Sequence, residues 1–284
     1  MHLDFRMLSA GYCHHPEFVT IKGGSWRACQ FPSLFGLVRH PQRGIILFDT
    51  GYAQHMLNQS WPGRIYEWVT PVCCGREDSA VAQLARLGIE AERVTHILIS
   101  HFHADHIAGL RDFPLARFWC FREAYEQVRG RRGLGALLKG FLPGLLPDDF
   151  QRRLSFMDEQ GVRQLPSALQ PFERAFDLFG DGSLLALPLP GHARGQMGLL
   201  LQDDSGRPVF LVADACWSEL AYREMRGPHA ITRLLTHSHG DYMSTLYKLH
   251  CLEKANGDIR IIPSHSRLLG GAATGGTAAS GTAP

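Results

Sequence analysis

The sequence predicts an α/β fold with a helical insert, and three observations carry that prediction. Short apolar runs recur along the chain, stretches with helical spacing separate them, and several of the runs end in an acid or a histidine. GLVRHPQRGIILFDTGY reads as two strands around a polar turn, the second ending in Asp49, Thr50 and Gly51. SAVAQLARLGIEAERV carries apolar residues at helical spacing, with Gly88 as its stop. THILIS is the next buried strand. SLLALPLPGH, PVFLVADA and DIRIIPSH are further short apolar strands, and STLYKLHCLEKA, before the last of them, is a helix. From Phe121 to Gln160 the chain is helical in tendency, broken by Gly and Pro, and rich in Leu. The expected organisation is one domain over residues 1–269, with 121–160 as a helical lid insert. The Gly/Ala/Thr/Ser-rich tail 270–284 is expected to be disordered.

Composition excludes several classes. With 284 residues, 45% hydrophobic and 20% charged, the chain can bury a sizeable core. A formal net charge of +2 offers no basic surface for nucleic acid. No apolar run approaches the ~20 residues of a membrane helix. Asp4 and Arg6 interrupt what would be the apolar centre of a signal peptide. Seven cysteines at irregular spacing do not form a disulfide framework, so they read as free thiols of a cytoplasmic protein.

The densest chemistry is SHFHADHIAGL, which puts His101, His103, Asp105 and His106 directly behind a buried strand. Residues i and i+2 of an extended segment point the same way, so His101 and His103 can face one metal ion. Asp105 and His106 follow after a turn and can face a second. Three other strand ends supply His192 (LPGH), Asp214 (VADA) and His265 (PSHS). Imidazole and carboxylate together suit Zn²⁺, and also Mn²⁺, Fe²⁺ or Co²⁺. A carboxylate such as Asp214 can bridge two cations, and such a pair can hold a hydroxide and polarise a carbonyl or phosphoryl oxygen. THSHGDY, Thr236–Tyr242, has ligand types but lacks the last histidine and a preceding buried strand, so it reads as a turn with Asp241 capping a helix. Cys13, His14 and His15 border the pocket entrance at most.

HFHADH resembles the HxHxDH motif of the metallo-β-lactamase superfamily, and the later His, Asp and His follow in the family's order. FDTG at Phe48–Gly51 resembles the family's early strand-end motif. The resemblance implies an αβ/βα four-layer sandwich with a two-metal site at one edge of the sheets. It implies that His101, His103 and His192 bind one metal, that Asp105, His106 and His265 bind the other, that Asp214 bridges them, and that Asp49 orients a ligand histidine from behind. Asp105 and Asp214 are the expected catalytic carboxylates, Asp105 as proton carrier.

DTGY, SHFHADHIAGL, LPGHARGQMGLLL, VADACW and IIPSHS are most similar to N-acyl homoserine lactonases. That implies hydrolysis of a lactone, ester or thioester with an apolar part, as in quorum-sensing signals. A phosphodiesterase of the same fold and a ligand-binding regulator are the alternatives. Those lactonases commonly carry Tyr three residues after the bridging Asp, where this chain has Trp217, so Tyr222 or Tyr242 is a candidate to assist instead. Trp217, Tyr222, Leu138 and Phe141 are the expected pocket residues. The apolar residues of the insert, among them Leu134, Leu137, Leu142, Leu145 and Leu146, either line a channel, pack the insert down or form a homodimer surface. Arg194 is expected near the cleft.

Overall fold

The computed structural model of the chain describes residues 1–57, 61–234 and 236–267. The sequence-predicted tail, 270–284, lies outside the described residues. Thirteen strands form two sheets among the described residues. The first contains β1 (Asp4–Pro16), β2 (Ala28–His40), β3 (Gly44–Phe48), β4 (Val72–Cys73), β5 (Val94–Leu98), β6 (Arg117–Cys120) and β7 (Leu154–Phe156), in the order β4-β1-β2-β3-β5-β6-β7. The second contains β8 (Gly161–Gln164), β9 (Arg174–Asp177), β10 (Leu185–Pro188), β11 (Met197–Gln202), β12 (Pro208–Ala213) and β13 (Arg260–Pro263), in the order β13-β12-β11-β10-β9-β8. GLVRHPQRGIILF is the expected antiparallel pair, with Gly36 opposite Phe48 and His40 opposite Gly44. β3, β5, β6 and β7 then run parallel, as do β12 and β13.

Adjacent residues of one strand enter different cores, which explains the unbroken apolar runs. Val38, Ile46 and Leu98 meet Leu199, Leu211 and Ile262 between the sheets. Their neighbours Leu37, Leu47 and Ile97 face outward and are covered by Leu84, Ile107 and Phe113. On the other side Leu200, Phe210 and Ile261 are covered by Leu246, Leu249 and Leu252 of the helix His239–Ala255. The order of layers is therefore helix, sheet, sheet, helix. Full burial of one such side chain contributes on the order of 1.5–3 kcal/mol. The helix Ala80–Arg86 starts where Ser79 accepts from the Ala82 amide, and Gly88 turns the chain out of it at φ +71.

The insert, read as helical in tendency and broken by Gly and Pro, also contributes a strand. It holds the helices Arg122–Val128, Gly133–Leu137 and Phe150–Arg153, but ends in β7, which pairs parallel with β6 and extends the first sheet. Phe141, Leu142, Leu145 and Phe150 are buried in the core around Phe102, and Leu137 and Leu146 pack against it. Leu134 and Leu138, one helical turn apart, are exposed. Packing thus accounts for most of the apolar residues of the insert. All seven cysteines are free thiols, and no described helix is long and apolar enough to cross a membrane.

His96, on β5, sits edge-on to Phe179 with ring centroids 5.3 Å apart. Burial, helped by Arg117 and Arg43, pushes its imidazole down from 6.5 to about 4. The unfolded chain therefore binds this proton first as pH falls. His96 contributes its full stability above about 6.5, and loses it as pH falls through about 4. His96→Phe is expected to flatten the fall in urea midpoint across that window, in metal-free protein. Parallel midpoint-versus-pH curves for the two proteins would refute it.

Candidate metal centre

Every predicted ligand sits just past a strand, at one edge of the two sheets. β5 leads through Ser100 to His101 and His103, and the short helix Ala104–Ile107 carries Asp105 and His106. The loop after β10 carries His192, β12 leads to Asp214, and β13 leads to His265. The seven side chains converge as two groups, His101/His103/His192/Asp214 and Asp105/His106/Asp214/His265, with the ligand atoms of each group within 4.8 Å of one another. Asp214 is common to both. Its Oδ2 lies 3.2 Å from His192 Nε2, and its Oδ1 lies 3.4 Å from Nε2 of both His106 and His265. Asp105 Oδ2 is 3.4 Å from His106 Nε2 and 3.3 Å from His265 Nε2. The rings of His101 and His103 meet edge to face at 4.4 Å, as the i, i+2 argument requires.

The residues fit a pair of cations. His101 Nε2, His106 Nε2 and Asp214 Oδ1 are buried without a hydrogen-bond partner, a cost that buried polar atoms rarely bear without a ligand to meet. The opposite ring nitrogens are held from behind. His106 Nδ1 donates to Asp49 Oδ2 at 2.8 Å, and His265 Nδ1 donates to the Pro32 carbonyl at 2.8 Å. Ser100 Oγ lies 3.0 Å from His101 Nδ1 and donates to Asp49 Oδ2 at 2.7 Å. Such contacts select the tautomer that leaves the converging nitrogen free. Asp49 and Ala213, which precedes Asp214, are non-glycine residues at φ 61 and 48. Strained backbone thus aims two of the carboxylates inward.

Charge supports the same reading. Burial pushes His101 well below the ordinary imidazole range and His103 down to about 3, and it lowers His192, so these rings are neutral donors. Burial also opposes charge on His106 and His265, but Asp214 and Asp105 outweigh it, together with Asp49 at His106. They raise His106 well above its usual range and His265 to about 10. Burial likewise opposes ionised Asp105 and Asp214, and the neighbouring histidines outweigh it and hold both well below the carboxylate range. Two buried carboxylates, Asp105 and Asp214, therefore demand positive charge at this point, which protons or divalent cations can meet.

Distant elements brace the ligand loops. The LPGH loop lies on the start of the helix His239–Ala255. The His237 and Ser238 amides donate to the His192 and Gly191 carbonyls, both at 2.9 Å, and Thr245 Oγ1 donates to the Pro190 carbonyl at 2.7 Å. THSHGDY is thus a brace for His192. Its cap is Ser238, correcting the expectation of Asp241: the Ser238 hydroxyl accepts from the Asp241 amide at 3.3 Å. Asp241 takes the third helical position, where an acid suits the capping-box spacing. The insert meets the site at Gly140, whose carbonyl accepts from the Ala104 amide at 3.0 Å. A Cβ there would lie 2.6 Å from the His103 ring.

The expected pocket residues divide. Trp217 is buried and donates its indole N–H to Asp214 Oδ2 at 2.8 Å. Tyr222 is buried with its hydroxyl donating to the Ile261 carbonyl at 3.4 Å, and Tyr242 is buried with its hydroxyl lacking a hydrogen-bond partner. Phe141 packs edge-on to Phe102 in the core, whereas Leu138 is 72% exposed. Arg194 points to the surface and pairs with Glu123 at 3.6 Å. Cys13 and His15 lie near enough for their protonation to feel Asp105 and, for His15, His265: burial first, then Asp105, pushes the Cys13 thiol up to about 12. Ser100, the Pro32 carbonyl and Ser33, which donates to the Asp105 carbonyl at 2.6 Å, were not singled out from the sequence, because an ordinary Ser or Pro carries no motif.

The sequence pattern of the metallo-beta-lactamase superfamily matches residues 30–265. The N-acyl homoserine lactonase AttM of Azorhizobium caulinodans is 27% identical over 252 residues, covering 87% of this chain and 86% of the relative. A solved N-acyl homoserine lactone hydrolase, with its product N-hexanoyl-L-homoserine bound at the catalytic metal centre, superposes with a TM-score of 0.66 at 19% identity, covering 94% of this chain and 95% of that one. AidC, a dizinc quorum-quenching lactonase, superposes with a TM-score of 0.64 at 16% identity, covering 95% and 90%. These two likenesses concern the fold. Strand ends that gather His101 to His265, inside a sandwich of this layering and over a matching pattern of 236 residues (30–265), lead to one conclusion: the chain belongs to the metallo-beta-lactamase superfamily.

Proposed function

We propose that the chain is a dinuclear metal-dependent hydrolase that opens a lactone, ester or thioester carrying an apolar part. The observation that carries this reading is the pair of ligand groups sharing Asp214. His101, His103 and His192 would hold one cation, Asp105, His106 and His265 the other, and Asp214 both. Zinc suits this donor set best, and manganese, iron and cobalt are accepted by the same donors. When bound, such a pair lowers the pKa of water and polarises a carbonyl oxygen. The protein's part is to hold the ligands and move the proton. Asp105, in contact through Oδ2 with His106 and His265, takes the proton of the attacking water. As the acyl C–O or C–S bond breaks, Asp105 returns that proton to the departing oxygen or sulfur. Asp49 and Ser100 keep His106 and His101 oriented throughout.

The relatives named as N-acyl homoserine lactonases favour an acyl lactone. The apolar part has a matching surface. Leu134 and Leu138 are exposed two to six residues before Gly140, which lies against His103. The helix Trp61–Val69, with Trp61 and Trp68 exposed, contacts the helix Gly133–Leu137.

Proton release at constant pH tests the reading, with protein loaded separately with Zn²⁺ and Mn²⁺. Fast release is expected from acyl homoserine lactones, slower release from aryl esters and acyl thioesters. Turnover confined to bis(p-nitrophenyl) phosphate would overturn the carbonyl assignment.

A further inference from the structure

Asp214, the residue common to both ligand groups, accepts a hydrogen bond from a residue that belongs to neither. The Trp217 indole N–H donates to Asp214 Oδ2 at 2.8 Å, and an indole has no other donor. Oδ2 is the oxygen turned toward His192, at 3.2 Å, whereas Oδ1 faces His106 and His265 and accepts nothing. The ring itself cannot drift. It is 8% exposed and stands edge-on to His192, with centroids 5.5 Å apart and planes at 81°. The residue therefore touches both the shared carboxylate and a histidine of one ligand group.

From this geometry we infer that Trp217 is a positioning residue: its indole clamps Asp214 in the bridging orientation, with Oδ2 assigned to the His101/His103/His192 group and Oδ1 to the other. The inference rests on the two-metal reading above. A carboxylate oxygen has two lone-pair directions, so Oδ2 can accept the indole along one and face a cation along the other. Without the clamp the carboxylate can rotate about its Cβ–Cγ bond, and the group that relies on Oδ2 loses its only carboxylate. The other group keeps Asp105. A spent N–H also has no proton to offer a substrate, so Trp217 orients the carboxylate and does not serve the leaving group.

The test uses the full chain and zinc. The five tryptophans give five indole N–H resonances, and the one absent from Trp217→Phe belongs to Trp217. In the wild type that resonance is expected to exchange slowly with solvent and to move when zinc is added, because its acceptor becomes a ligand. Trp217→Phe, titrated against a chelator of known affinity, is expected to bind one zinc as the wild type does and the other about 10–100-fold more weakly. Trp217→His, which keeps a ring N–H, is expected to recover part of that loss. Equal affinity of Trp217→Phe for both ions, or an indole resonance unmoved by zinc, would overturn the clamp while leaving the two-metal reading intact. A wild type that binds fewer than two zinc ions would instead overturn the two-metal reading, and the clamp with it. The resonance arm needs only wild-type protein once assigned through any Trp217 variant that folds.

Discussion

Replacing His103 by alanine is expected to abolish turnover and to lower bound zinc from two ions per chain toward one. His103 belongs to the group that has three imidazoles and a single shared carboxylate. Burial already holds it neutral, with its pKa down to about 3, so no proton competes for the ring at neutral pH. Its loss leaves His101, His192 and Asp214, one protein donor fewer than the four of the intact group, so an ion there would be held more weakly. The Asp105/His106/Asp214/His265 group is untouched and should keep its ion. Loss of a group that merely supports a ligand costs ~10–100-fold, so loss of a ligand itself should exceed that. Metal analysis and proton release on the same sample check both halves. Retained turnover in His103→Ala would sink the assignment of this group to the reaction.

The largest effect on stability is expected from Gly191→Ala. Gly191 has φ +134, a region that side chains rarely enter, and an added Cβ would lie 2.3 Å from the Tyr242 backbone nitrogen and Cα. Neither partner can yield. Tyr242 belongs to the helix His239–Ala255, and the two residues just before that helix, His237 and Ser238, supply the amides that hold the His192 and Gly191 carbonyls. Backbone strain alone costs about 1–3 kcal/mol, and the collision adds to it. A cost of about 3 kcal/mol corresponds to a fall in Tm on the order of 6–12 °C for a domain of this size. His192 would shift with its loop, so weaker zinc binding should accompany the lower Tm. A variant with unchanged Tm would mean that the loop and helix are not in rigid contact.

Much of the candidate site was legible in the sequence because its information is local. HFHADH compresses four candidate ligand residues into six positions, and alternation along an extended segment is enough to turn His101 and His103 the same way. The strands were legible for a related reason. Leu37 and Val38, or Leu199 and Leu200, lie in different cores, so both faces must be apolar and the run is unbroken. Other features had no local mark. The insert's Leu134 and Leu137 read alike in sequence, yet one is exposed and the other packs against the core, because the short helix Gly133–Leu137 meets the core along one face only.

The α/β class, the strand ends and the choice of candidate ligand residues were legible without the structure, since each follows from the pattern of a few neighbouring side chains. The tertiary structure alone decided how those strand ends converge, that Ser100, Pro32 and Gly140 stand behind the ligands, and that Trp217 is bonded to Asp214. Those contacts join residues 1 to 233 positions apart. The physical reason is that a hydrogen bond or a close approach depends on where two sheets and their helices bring the chain back, and no local pattern encodes that meeting.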